Sequence, residues 1–524
     1  MPHNGPRRTR RVTLLIAALG VIAGCAGVSR NQSGPPEGDN ATNLAGLDPI
    51  KVANRLTWGV DSRAARDVTE KGVAKYVDIQ LHPPVGDELP DDVTRGVAGP
   101  DRPKSGSLGL VLDLERRRKE VDATKDDAEK KAAQEAYQKE LNAIAREAAT
   151  ESLTRALYSP YQLREQMTWF WMNHFSVHQY KANIRALIWD YEDRAIRPHA
   201  LGRFHDLVMA TLRHPAMIRY LDNEQNAANH INENYARELL ELHTLGVDGG
   251  YSQRDVQELA RVLTGVGVNL TGNMPQVRPE LRDQYLRDGL FEFNPMRHDG
   301  GVKDVLGHSI KARGFDEVEQ AVDILCRHPA TARFVSRKLA VFFVADDPPP
   351  AVVARMAATF TRTDGDIAAV LRTMIESPEF AQSLGRKFKD PMHFVVSAVR
   401  LAYDGRPVLN VGPMIGWLNR LGEAPYGRQT PDGYPLTEAA WSSPGQLSTR
   451  FEIARAIGSG SAGLFRMDEA GATERPAFPR LANALYYQSI ERSLGGATRA
   501  ALDKATSPQE WNVFLLSSPD FMYR

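Results

Sequence analysis

Residues 162–178 read QLREQMTWFWMNHFSVH. At 100° per residue, Leu163, Met167, Trp169, Phe170, Trp171, Met172 and Phe175 cover nearly the whole circumference of a helix. A helix that is apolar all round is a central, buried element, so this stretch predicts a body assembled around one rod. The rod also contains Arg164, Glu165, Asn173 and His174. An unpaired buried charge costs several kcal/mol. Arg164 and Glu165 must therefore either pair within a structural network or belong to a polar site floored by this helix.

Outward from the rod, helical patterning continues from Asp48 to the C-terminal residues. Leu110 to Leu157 holds no Gly or Pro and predicts one long helix or two. Its first half, ERRRKEVDATKDDAEKK (115–131), is charged and expected in solvent. Its second half places Tyr137, Leu141, Ile144 and Ala148 on one apolar seam. A protruding surface helix is expected, because sustained apolar heptads are lacking. A short phrase recurs as His214-Pro215, His328-Pro329, Ser377-Pro378 and Ser518-Pro519, each after an apolar residue. A capping side chain followed by Pro at the first helical position punctuates successive helices. The irregular spacing excludes a solenoid of fixed period. Leu290–Phe293 and Val305–Ile310 flank His298-Asp299-Gly300-Gly301, and the Asp-Gly turn predicts that they pair as a hairpin. Clusters of Pro and Gly at 83–106, 345–350 and 404–447 mark loops. The expected fold is mostly α, a multi-helical globular body with one short β-hairpin at about 290–310 and long irregular loops. Residues 47–524 would form this body, with a candidate sub-boundary near 265–315.

The first residues carry an address. Arg7, Arg8, Arg10 and Arg11 precede an apolar stretch from Val12 to Ala23, too short for a bilayer span of about 20 residues. This is the form of a secretory signal peptide. Val21-Ile22-Ala23-Gly24-Cys25 resembles a bacterial lipobox, in which Cys25 would be acylated and become the new N-terminus, and acylation by more than one chain gives stable anchoring. Arg10-Arg11 also fits a twin-arginine export signal. Residues 1–24 are thus expected to be a lipoprotein signal peptide and 25–46 a flexible tether. The protein would be exported and held at the cell envelope through its N-terminal lipid, at the outer membrane or periplasmic face in a Gram-negative cell.

The 524 residues carry 65 basic and 65 acidic side chains and are 42% hydrophobic and 25% charged. These are globular proportions and exclude collagen-like, disordered and disulfide-scaffold classes. A balanced charge argues against a nucleic-acid partner. Loss of the four N-terminal arginines would leave 61 basic residues against 65 acidic, a net charge of −4. Cys326 is the only cysteine besides Cys25 and reads as a small buried hydrophobe.

Asn232 to His243 (NENYARELLELH) is the densest polar segment. On a helix Asn234, Arg237, Glu238 and Glu241 share one face, while Tyr235, Leu239, Leu240 and Leu242 fill the other. The stripe fits a solvated salt-bridge ladder, and it equally fits two carboxylates and a guanidinium able to hold a hydroxyl or move a proton. His243 projects into the apolar arc, away from the carboxylates. Ser252 to Asp255 is a capping box for the next helix. Asp248 to Asp255 mimics half an EF-hand loop, but Thr244 and Gly246 offer no carboxylate and no calcium site is expected. A turn explains Asp299-Gly300 but not His298, Lys303 or His308. The chain has no phosphate-binding loop, dinucleotide fingerprint, serine elbow or paired Cys-x-x-Cys, which removes those enzyme classes. No cofactor is expected, while a metal stays open through His174, His243 and His298.

Several phrases together resemble the bacterial family called domain of unknown function 1800. They are Asn54 to Gly59 (NRLTWG), Phe170 to Phe175 (FWMNHF), Asn232 to Leu239 and Thr244 to Tyr251. His298-Asp299 with Lys303, Leu306 and Gly307 follows, then Asp432-Gly433-Tyr434-Pro435 before Trp441. Tyr434 stands where the family pattern has Trp. The resemblance implies an exported, largely helical protein, often accompanied by a co-exported protein of phosphatase or sulfatase type, and it implies no particular activity. It makes the polar stripe part of a family signature.

The expected site is a pocket floored by 162–178 and walled by Asn234, Arg237, Glu238 and Glu241, with the 298–303 turn nearby. Arg237 would hold an anionic or hydroxylated group, and Glu238 or Glu241 would act as acid or base. His174 or His298 would be the second proton-transfer group, with Asn173, Arg164, Glu165, Asp299 and Lys303 binding around them. A surface glycan or similar polymer is the expected substrate. The rival is a non-catalytic assembly protein docking its partner through the 110–157 helix and the 404–447 loops.

Overall fold

In a computed structural model, the structure describes residues 43–86, 89–91, 93, 107–465 and 478–524. Residues 1–24, expected to be a signal peptide, Cys25 and most of the expected tether lie outside these residues. Among them, no helix is long and apolar enough to cross a membrane. The described segments fall within one contact unit, Ala41–Arg524.

The helix Gln162–His174 is the rod around which the others pack, and only Trp169 and Asn173 along it escape full burial. Leu163, Met167, Phe170 and Trp171 are at most 1% exposed, and the Trp171 indole donates to the Ala200 carbonyl at 2.9 Å. Full burial of each such side chain is worth about 1.5–3 kcal/mol, so the rod's aromatic length holds the surrounding helices. Its charges are paired as burial requires. Arg197 donates to both Glu165 oxygens, Nη2 to Oε1 at 2.8 Å and Nε to Oε2 at 3.1 Å, and the Ser159 hydroxyl adds a third bond at 3.1 Å. Arg164 reaches the Gly86 carbonyl at 3.2 Å and lies over the Tyr161 ring.

The Pro-marked starts are capped by the side chains before them. His214 Nδ1 accepts from Ala216 N and His328 Nδ1 from Ala330 N, both at 3.2 Å, while Ser377 accepts from Phe380 N. Ser252 and Asp255 close a reciprocal capping box. The Gly- and Pro-free stretch is two helices, Leu108–Ala123 and Asp127–Tyr158, clasped by Arg117 and Glu140 at 2.6 Å and 2.9 Å. The charged half is not wholly solvated. Glu115 is buried, and accepts from Asn183 at 3.0 Å and Arg118 at 3.1 Å. Within the 404–447 stretch, Gly412–Arg420 is a helix.

The fold is mostly α, with a few short antiparallel strands, but the expected hairpin does not form. Strand β1 (Val266–Val268) pairs with β3 (Phe291–Phe293), which also pairs with β2 (Leu286–Asp288). Strands β4 (Asp304–Val305) and β5 (His308–Ser309) close on each other through Leu306 and Gly307, whose φ values of 51° and 76° are those of a tight two-residue turn. His298–Gly301 is therefore a loop pinned to the helix Gln253–Val262 and is not the turn of a hairpin.

Candidate functional site

The helix carrying the polar stripe is α-helical only over Asn234–Glu238; Leu239–Thr244 is a π-helical turn. Such turns widen a helix by one residue and recur at functional sites. Thr244 Oγ1 steadies this one by donating to the Leu239 carbonyl at 2.6 Å. The turn ends at Gly246, whose φ of +87° brings its backbone against Phe334; a Cβ there would lie 2.7 Å from the ring.

The turn also presents the His243 carbonyl to the rod. His174 Nε2 donates to it at 2.9 Å, leaving Nδ1 to accept from Lys338 Nζ at 2.9 Å. Burial holds His174 well below the usual imidazole range, and the Lys338 charge adds to the effect. His174 is thus neutral. Lys338, on the helix Pro329–Phe343, is itself lowered by burial to about 8, with the Asp432 carboxylate opposing.

Asp432 lies in a loop strapped to the end of the rod. Asn173 clasps Tyr434 by its backbone, donating to the carbonyl at 2.9 Å and accepting from the amide at 2.5 Å. Gln179 donates to the Pro425 carbonyl at 3.0 Å, and Tyr434 and Trp441 donate to Ala424 and Pro435 carbonyls. Arg428 grips both Asp432 oxygens at 2.8 Å and 2.9 Å. Burial opposes ionisation of Asp432, but the Thr430 hydroxyl and Arg428 outweigh it and hold the carboxyl below its usual range. Glu238 is shifted the other way. Burial raises it first, then the Glu241 charge; Arg237 pulls the other way, and the Asp432 charge adds a smaller push upward. Tyr220, which donates to the Gln429 carbonyl at 2.9 Å, feels Glu238, Asp432 and Arg428 together.

Asn173 holds the loop that carries Asp432, His174 holds Lys338, and Glu238 and Lys338 each lie within range of the Asp432 charge. Arg237 turns outward to Glu233 at 3.0 Å and Gln253 at 2.9 Å, so this side of the stripe is a ladder. Asn234 is exposed and donates to the Leu221 carbonyl, and Glu241 hydrogen-bonds the Tyr251 hydroxyl. Arg164 and Glu165 serve the structural network with Arg197. His298, Asp299 and Lys303 form a cluster of their own. His298 Nδ1 donates to the Thr264 carbonyl at 2.7 Å, its Nε2 lies 3.3 Å from Glu317, and Lys303 contacts Glu317 at 2.5 Å. Among the described residues no group of three or more His, Cys, Asp or Glu side chains is arranged to hold a metal ion, so His174, His243 and His298 do not converge as ligands. Lys338 and Asp432 carry no local motif that marks them as partners; the Asp-Gly-Tyr-Pro phrase was the one signal for the loop.

Asp299 is a measurable anchor of this second cluster. Arg261 donates to both its oxygens at 2.8 Å and 3.2 Å and is the main cause of a carboxyl lowered to about 2, with burial opposing. A lowered folded-state value means stability that is complete above the unfolded range near 4 and is lost as pH falls toward 2. Arg261→Met is expected to cost on the order of 1–2 kcal/mol at pH 7 and almost nothing near pH 2. Urea denaturation across pH 2–7 measures this, and a cost that does not change with pH would refute it.

The family model described as "Protein of unknown function (DUF1800)" matches residues 51–523, nearly the whole chain. The chain belongs to the DUF1800 family. The DUF1800 match spans the rod, the π-helical turn, the Lys338 helix and the Asp432 loop together. Neither the curated proteins nor the solved structures contain a match.

Proposed function

We propose that this DUF1800 protein is an exported, lipid-anchored protein of the cell envelope that performs acid–base chemistry on a surface glycan or similar hydroxylated polymer. The observation that carries the reading is one pair of carboxyls, within range of each other's charge, pushed in opposite directions. Glu238 is raised and Asp432 is held low. Divergent environments of this kind separate an acid from a base at one pH. Glu238 would donate a proton to a leaving oxygen, and Asp432 would accept one from the attacking group or stabilise developing positive charge. Lys338, fixed by neutral His174, would hold a substrate hydroxyl. Asn173 acts through the loop backbone and positions Asp432.

The test is reducing-end release from purified envelope polysaccharides by the mature protein and its Glu238→Gln and Asp432→Asn variants. Each variant is expected to lose about 10²–10⁴-fold in rate, the range supplied by a positioned acid or base. The activity should need Glu238 protonated and Asp432 ionised, giving a bell-shaped pH profile whose alkaline limb disappears in Glu238→Gln. Folded variants that keep full activity would overturn the assignment.

A further inference from the structure

A second candidate site lies between the helix Pro49–Leu56, the Leu384–Arg386 turn, the helix Pro391–Tyr403 and the C-terminal segment 490–523. It is a cavity of about 280 Å³. Ile50, Leu384, Leu401, Leu494 and Leu515 supply apolar wall. Lys51, Arg386 and Lys389 also line it, against a single carboxylate, Asp520, which is engaged by the Gly495 amide at 3.0 Å.

Lys389 is the unusual member. It is 3% exposed, and its backbone is tied on both sides, the amide donating to the Met522 carbonyl and the carbonyl accepting from Arg450, each at 2.8 Å. Its ammonium sits 3.7 Å from the centre of the Phe521 ring and has no hydrogen-bond or ion-pair partner among the described residues. Burial, with the Arg450 and Arg524 guanidinium groups adding to it, holds this amine well below the lysine range. The ring face leaves the N–H groups of this amine without acceptors. An anion docked there would accept from them and draw the amine back to its charged form. Apolar walls ending in this amine, with Lys51 and Arg386 also lining the cavity, are the complement of an amphipathic acid, and the volume lies just below the usual range for a small-molecule site.

We propose that this cavity binds an organic carboxylate with an apolar body, of the size of a medium-chain fatty acid, with its carboxylate on Lys389. Decanoate and decanol are the probes, titrated calorimetrically into the purified protein. Decanoate is expected to bind at least 10-fold more tightly than decanol. Lys389→Met should bring decanoate to the decanol value and leave decanol unchanged. Ile490→Trp, which fills the cavity from a partly exposed wall, should weaken both at least 10-fold, and serves if Lys389→Met does not fold. Equal affinities in the unaltered protein, or an unchanged ratio in folded Lys389→Met, would overturn the proposal and leave Lys389 a purely structural cation. Glu238→Gln should not move decanoate affinity; a loss there would place the ligand beside Glu238 and likewise overturn it.

Discussion

Gly433→Ala is expected to cut the chemistry proposed for Glu238 and Asp432 by about 10²-fold while leaving the helical body folded. Gly433 has φ +77°, and a Cβ built on it would lie 2.1 Å from the Asn173 carbonyl oxygen and 2.7 Å from its side-chain oxygen. The backbone conformation alone costs about 1–2 kcal/mol for a residue with a side chain. The clash cannot be relieved by a rotamer change, because one of the atoms met is backbone at the end of the buried rod. The loop must therefore lift, which breaks the two Asn173–Tyr434 hydrogen bonds at about 1 kcal/mol each. Asp432 is the preceding residue and moves with it. A displacement near 1 Å costs roughly 10²-fold in a positioned reaction. Faster proteolysis within 424–435, with an unchanged far-ultraviolet spectrum and lost polymer turnover or affinity, is the expected result. A variant with unaltered proteolysis and function would show that the loop does not depend on this close approach.

Glu165→Ala should be the most destabilising single change in the rod. Glu165 is 6% and Arg197 8% exposed, and a bidentate ion pair joins them. Removing one member of such a pair costs about 3–5 kcal/mol, because the other charge stays buried. Replacing both by Met should recover most of that loss, since an apolar pair of similar volume avoids the desolvation of two ions. Denaturant unfolding of the two variants and the parent measures the difference. A double variant no more stable than Glu165→Ala would mean that the pair holds the fold by more than charge compensation.

The two changes separate what local pattern could reveal from what it could not. The buried rod was legible because its aromatic residues cover every face, and a period of 3.6 needs no knowledge of neighbours. The need for a partner to Glu165 was legible for a similar reason, although nothing local pointed to Arg197. The His214, His328 and Ser377 caps and the Ser252–Asp255 box span two to four residues and were readable outright. The strand pairing was not. Asp299-Gly300 has the composition of a hairpin turn, yet Arg261 and Thr264 hold it as a loop, and Phe291–Phe293 pairs with β1 and β2.

An ideal helix puts Asn234 to Glu241 on one face, whereas a π-helical turn begins at Leu239, Arg237 turns to Glu233 and Gln253, and Glu238 is partly buried. Local pattern suffices for a mostly helical body around one rod, its helix starts, its DUF1800 signature and the requirement that the rod's charges be paired. These follow from periodicity and capping, which act over a few residues. Tertiary packing alone brings Lys338 to His174 and puts Glu238 within range of the Asp432 charge. Electrostatic coupling acts through space, and no rule of sequence spacing links residues brought together from four separate elements.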